Sequence, residues 1–189
     1  MLCANSDNVT FKISGSVLTI ESIPGKDFFV NPVDGSVVAD AAFVYRPVVG
    51  DFVCRAKISL EHKAKFDGGA LFAYQDDAHW VKACFEQGDY GFKSVVTVAT
   101  DGVSDDCYGV TVHGDFVWLQ LARTDDVFSI HYSFDGMQWF MSRLCSSMTF
   151  DQLLKVGFEA QSPNGEGGTR TFTDFEILDH RLSDPRAGQ

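Results

Sequence analysis

The stretch from Gly68 to Thr97 reads GGALFAYQDDAHWVKACFEQGDYGFKSVVT, and its centre alternates strictly. Val81, Ala83 and Phe85 form one row, while Trp80, Lys82, Cys84 and Glu86 form the other. Side chains along a strand repeat with a period of two, so the segment predicts a strand with one row in a core and the other facing solvent or a cleft. A row carrying an indole, an ammonium and a carboxylate exceeds what solubility requires, and it marks this face as the candidate working surface.

Working outward, Asp51 to His62 alternates in the same way. Phe52, Cys54, Ala56, Ile58 and Leu60 oppose Val53, Arg55, Lys57, Ser59 and Glu61, as in a half-buried strand. Phe11–Ile13 and Val17–Ile20 predict a hairpin across Ser14-Gly15-Ser16, and Phe116–Arg123 with Val127–Ser133 predict another across Thr124-Asp125-Asp126. Further strands are expected at Phe28–Val30, Val37–Tyr45, Val95–Val98, Trp139–Arg143, Val156–Ala160 and Thr169–Leu178. The polar, acidic segment Thr100–Asp106 reads as a loop, and Thr149–Leu154 as one helical turn with Thr149 as its N-cap. Many short strands with turn signals between them, and no long amphipathic helix, predict an all-β sandwich or barrel. Residues 1–182 are expected to form a single β-sandwich domain, followed by a flexible tail, 183–189.

Size and composition agree with this. A chain of 189 residues suits one well-buried domain, and 17 Phe with 17 Gly favour strands and turns. The formal net charge of -11 disfavours nucleic acid and anionic membrane surfaces as partners, because phosphate binding needs clustered Lys and Arg. No apolar run approaches the ~20 residues of a membrane helix. The N-terminus lacks the basic and apolar regions of a signal peptide, and the 5 Cys residues suit reduced thiols in a cytoplasmic protein.

Several motifs in order then resemble one family. Trp80-Val81-Lys82-Ala83-Cys84-Phe85-Glu86, Ser94-Val95-Val96-Thr97 and Trp118-Leu119-Gln120-Leu121-Ala122-Arg123 carry the first part. Tyr132-Ser133-Phe134-Asp135-Gly136 with Trp139, then Val156-Gly157-Phe158-Glu159-Ala160-Gln161-Ser162-Pro163, carry the second. Together they resemble the domain-of-unknown-function family that includes the regulation-of-enolase proteins, from about Phe28 to Ile177. The resemblance implies a concanavalin A-like jelly roll of two antiparallel sheets, one with a concave face. By analogy with lectins and glucanases of that superfamily it also implies sugar recognition. One departure stands out: Ser104-Asp105-Asp106-Cys107 occupies the place where the family pattern leads one to expect an Asp-Trp pair.

The chemistry leaves three readings open. A binding module would use Trp80 to stack on a sugar ring and Lys82, Glu86 and Gln161 to bond hydroxyls, with Thr97 and Arg143 as neighbours on the face. A glycoside hydrolase would need a carboxyl pair, for which Glu86 and Glu159 are the candidates. A protein-interaction scaffold would use the exposed sheet itself, so a carbohydrate or a protein is the expected partner. The 5 His residues show no zinc spacing, Asp76-Asp77 and Asp105-Asp106 lack a calcium-loop pattern, and Asn164–Gly168 reads as a hairpin turn, so neither metal nor cofactor is expected.

Overall fold

The computed structural model describes residues 1–4, 9–146 and 150–189. Among the described residues the regular structure is all strand. In chain order these are β1 (Leu2–Ala4), β2 (Phe11–Ser14), β3 (Val17–Ser22), β4 (Phe28–Val30), β5 (Val37–Ala39) and β6 (Ala42–Val49). Then follow β7 (Phe52–Leu60), β8 (Gly68–Asp76), β9 (His79–Gln87), β10 (Lys93–Asp101) and β11 (Val103–Thr111). The chain ends with β12 (Phe116–Thr124), β13 (Val127–Ser133), β14 (Phe140–Cys145), β15 (Leu153–Gln161) and β16 (Gly168–Leu178).

Two antiparallel sheets of 7 strands form a sandwich, as the strand pattern predicts, with the concanavalin A-like jelly-roll architecture that the family resemblance implies. The first runs β1-β6-β15-β8-β9-β10-β11 and the second β14-β13-β12-β7-β16-β3-β2, with β4-β5 as a separate small hairpin. Between the sheets, Val81, Ala83, Phe85, Leu71, Ala73 and Val95 meet Cys54, Ala56, Ile58, Leu119 and Leu121 in one apolar core. The inward row of β7 is the one its alternation predicts.

A second, smaller core lies on the outer face of the first sheet. Phe43 of β6, Ala70 and Phe72 of β8, Trp80 and Cys84 of β9, and Val96 and Val98 of β10 pack there under Phe28 of β4. The β4–β5 hairpin is therefore a cover. Its tip is closed by Asn31 N–H to Ser36 O and Gly35 N–H to Asn31 O, with Gly35 at a φ of 72° that side chains resist. Val30 N–H also donates to Ser104 Oγ at 2.9 Å, which fastens the hairpin to β11.

Three local expectations need correction. Thr100–Asp106 is not a loop: β10 and β11 pair through it, turning at Gly102 (φ 76°). Its charges are tolerated because β11 is an edge strand, exposed along most of its length. Val37–Tyr45 is two elements broken at Asp40-Ala41, and β6 continues through Pro47, whose missing N–H costs little because β1 pairs only as far as Tyr45. Thr149 lies outside the described residues, and β15 already begins at Leu153, so the rest of the expected helical turn is absent. In the tail 183–189, Asp184 N–H donates to Gln189 O and Gln120 Nε2 donates to Gly188 O. No helix among the described residues is long and apolar enough to cross a membrane.

Candidate functional site

Strand period and register bring a polar group together at one end of the covered face. β9 places Lys82 and Glu86 on its outer row, and β15 does the same for Glu159 and Gln161. Gln161 pairs across to Gly68, which in turn pairs with Glu86. A Cβ at Gly68 would lie 2.6 Å from Cys84 Sγ and 3.3 Å from Gln161 Cδ, so the glycine provides the gap in which Gln161 and Glu86 meet. Strand β11 adds Asp106, opposite Val98, and the segment before β4 adds Asp27.

The groups are tightly bonded. Lys82 Nζ donates to Gln161 Oε1 at 2.7 Å, to Phe28 O at 3.1 Å and to Asp27 Oδ1 at 3.3 Å. Gln161 Nε2 donates to Phe66 O at 2.9 Å and to Glu86 Oε2 at 3.1 Å, so both its ends are satisfied. Tyr108 OH donates to Glu86 Oε1 at 3.5 Å. Behind Gln161, Arg170 Nη2 donates to its backbone O at 2.8 Å and pairs with Asp67 Oδ1 at 3.3 Å, both side chains being buried. These bonds enclose a niche of about 110 Å³ lined by Asp27, Phe29, Phe66, Lys82, Glu86, Val98, Asp106 and Gln161.

Its electrostatics follow from burial. Desolvation pushes Glu86 up to about 8; Lys82 pulls it down, while Asp27, Asp106 and Glu159 push it up. Enclosure likewise raises Asp106. Burial opposes the Lys82 ammonium, yet Asp27, Glu159, Cys84 and Glu86 together outweigh it and raise this group. At neutral pH the niche therefore holds a fixed cation, a neutral carboxylic acid at Glu86 and acidic neighbours. Lys82 and Gln161 spend their donors within the set, which leaves the carboxyl groups of Glu86 and Asp106 as the groups with capacity to meet a hydroxyl.

The six residues expected on an open face have four different fates. Lys82, Glu86 and Gln161 come together at the niche. Trp80 lies on the same row but is fully buried, with Nε1 donating to Asp77 O at 3.3 Å and its ring 5.4 Å from that of Phe72, so it cannot stack on a ligand. Thr97 pairs with Ala83 and shares its row with Val95 and Ala99, toward the core between the sheets and away from the niche. Arg143, on β14 of the other sheet, donates to Asp105 Oδ2 at 2.6 Å and clasps the sheet edges together. The open face is thus corrected to a covered one.

Glu159, the expected partner of Glu86 in catalysis, does not line the niche. It is fully buried, and neither carboxyl oxygen has a hydrogen-bond partner among the described residues. Burial pushes it up to about 8. A sealed acid away from the cavity cannot share a substrate there with Glu86.

Asp27 and Asp106 were missed by sequence reasoning. The signal for Asp106 was present: Ser104, Asp106 and Tyr108 alternate onto the face of Thr100, Val98 and Val96 once the segment is recognised as a strand.

Comparison with known proteins supplies the context. A family profile described as "Protein of unknown function (DUF1349)" matches residues 5–179. No curated protein sequence matches the chain. Among solved structures, a functionally unknown protein from Saccharomyces cerevisiae is similar with a TM-score of 0.86 and 23% identity, covering 96% of this chain and 97% of that one. The GH43 protein BlXynB from Bacillus licheniformis is similar at a TM-score of 0.65 and 12% identity over 87% of this chain, which spans only 33% of that protein's length. The carbohydrate binding module CBM66 from Bacillus subtilis is similar at 0.58 and 13%, covering 90% of this chain and 92% of that one. At these identities the likeness shows a shared fold.

Proposed function

The chain belongs to the DUF1349 family of unknown function, and from that premise we propose that it is a non-catalytic module binding a neutral carbohydrate at the niche on the outer face of its first sheet. The observation that carries this reading is the bonded set Lys82–Gln161–Glu86, held rigid beside Asp27 and Asp106 in a recess of an otherwise apolar face. A few fixed polar groups in apolar surroundings are how small-ligand sites orient hydroxyl-rich molecules. The shared fold with a carbohydrate binding module supports the reading by analogy alone. The hydrolase alternative loses its carboxyl pair because Glu159 is sealed away. A sugar-metabolism protein partner, which the resemblance to the regulation-of-enolase proteins implies, is carried by no contact of this niche.

Calorimetric titration with neutral mono- and oligosaccharides tests the proposal. At least one is expected to bind the wild type and to bind Asp106→Ala about tenfold more weakly, the effect of losing one hydrogen bond to a polar ligand group. Absence of binding by every neutral saccharide at millimolar concentration would overturn it.

A further inference from the structure

The niche of about 110 Å³ is small for the ligand it is proposed to take. At about 30 Å³ per water it holds a few waters or a ring substituent, well below the roughly 300 Å³ at which ligand pockets begin. A sugar whose hydroxyls reach the niche must therefore rest its ring on the neighbouring surface.

Across Glu86 that surface is a recess of about 280 Å³ lined by Gly88, Asp89, Tyr90, Phe92, Ser94 and Tyr108, among others. It lies at the uncovered end of the same sheet face: Ser94 pairs with Glu86, and Tyr108 with Val96. Tyr90 is 89% exposed, Phe92 63% and Tyr108 45%, so the fold gains little from burying these rings. Three aromatics left to water around one hollow contrast with the other apolar side chains of this face, which sit under β4–β5.

Backbone features keep the hollow open. A Cβ at Gly88 would lie 2.6 Å from Tyr108 Cε1, so only glycine lets that ring lie against the turn after β9. The turn is closed by Gly88 N–H to Phe92 O and by Gly91 N–H to Gly88 O, with Gly91 at a φ of 78°. Tyr108 joins the two hollows: its ring lines the recess and its hydroxyl reaches Glu86 in the niche.

We infer that Tyr90, Phe92 and Tyr108 form an aromatic ledge on which a pyranose ring of a neutral oligosaccharide lies, with its substituent or next residue directed past Tyr108 into the niche. The inference rests on the carbohydrate reading above and extends it from a sugar to a chain. The ledge supplies apolar faces for C–H surfaces, and Asp89, Ser94 and Thr111 supply polar groups at its rim. Asp89 beside the ledge and Asp27 and Asp106 in the niche make an anionic sugar a poor occupant.

The test is calorimetric titration of the full chain with hexasaccharides of glucose, xylose and mannose and with the three monosaccharides, using wild type, Tyr90→Ala/Phe92→Ala, Gly88→Ala and Asp106→Ala. Circular dichroism and thermal unfolding establish that each variant is folded. A hexasaccharide is expected to bind more tightly than its monosaccharide. The double variant, altered at two exposed turn positions, is expected to lose about tenfold or more in affinity, the effect of losing a buried aromatic contact. Gly88→Ala, by displacing Tyr108, is expected to lose affinity in the same direction. Hexasaccharide binding that weakens in Asp106→Ala but is unchanged in Tyr90→Ala/Phe92→Ala would overturn the ledge and leave the niche standing. No saccharide binding to the wild type would overturn both.

Discussion

Glu159 is a fully buried carboxyl group whose oxygens have no hydrogen-bond partner among the described residues, and its raised pKa is the natural consequence of that burial. Folding raises it from 4.5 to about 8, so between those values the folded chain holds a proton that the unfolded chain has released. The associated stability is fully present below the lower value and is lost as pH rises through the upper one. Glu86 is raised in the same sense. Wild-type melting temperature is therefore expected to decline as pH rises from 4.5 to about 8, the window these two shifts define, with no further loss from these groups above it. Glu159→Gln keeps a neutral side chain of the same shape and removes one of the two titrations. Its melting temperature should match wild type at or below pH 4.5, exceed it increasingly as pH rises to about 8, and keep a constant lead above that. Thermal unfolding across that range checks the effect, and parallel curves for the two proteins would refute it.

The strands show where the sequence was legible and where it was not. Two-row alternation identified β7 and β9 and assigned Val81, Ala83 and Phe85 correctly to the core between the sheets. What alternation cannot supply is the partner of the second row. Trp80 beside Lys82 and Glu86 reads as an exposed face because charged groups are seldom buried, yet here three acceptors hold the ammonium and a separate hairpin covers the indole. The neighbouring strands carried a clue: Ala70, Phe72 and Tyr74 alternate with Leu71 and Ala73, so β8 is apolar on both rows, the mark of a strand buried on both faces. β11 was illegible for the opposite reason, because a polar edge strand has no apolar row to betray it. Gly157 makes the closeness of this packing testable. A Cβ there would lie 2.1 Å from Val44 O and 2.7 Å from Tyr45 Cα, both backbone atoms of β6 that cannot swing aside. Gly157→Ala is expected to push β15 from β6 and destabilise the fold by about 3 kcal/mol. Denaturant unfolding measures this, and a loss within about 0.5 kcal/mol, typical of a surface substitution, would show that the two strands tolerate separation.

At the scale of the molecule, charge decides which ligands of the proposed class are admitted. The chain carries a net -11, and the niche and ledge together present the carboxyl groups of Asp27, Asp89 and Asp106. Lys82, the cation of the niche, is already held by three acceptors and has little capacity left to neutralise a further anion. A chain of uronic acids with the same ring shape as a bound neutral oligosaccharide therefore meets both the diffuse field of the protein and a local row of carboxyl groups. Its affinity is expected to be at least about tenfold weaker at low ionic strength. Raising salt shortens the Debye length from about 30 Å at 0.01 M to about 8 Å at 0.15 M, so the part of the penalty due to the distant field should fade while the part due to the niche persists. The neutral oligosaccharide should show almost no salt dependence over the same range. Paired titrations of the neutral and uronic chains at the two salt concentrations separate these contributions. Equal affinities at low salt would mean that the carboxyl groups lie outside the contact surface, which would move the site away from the niche.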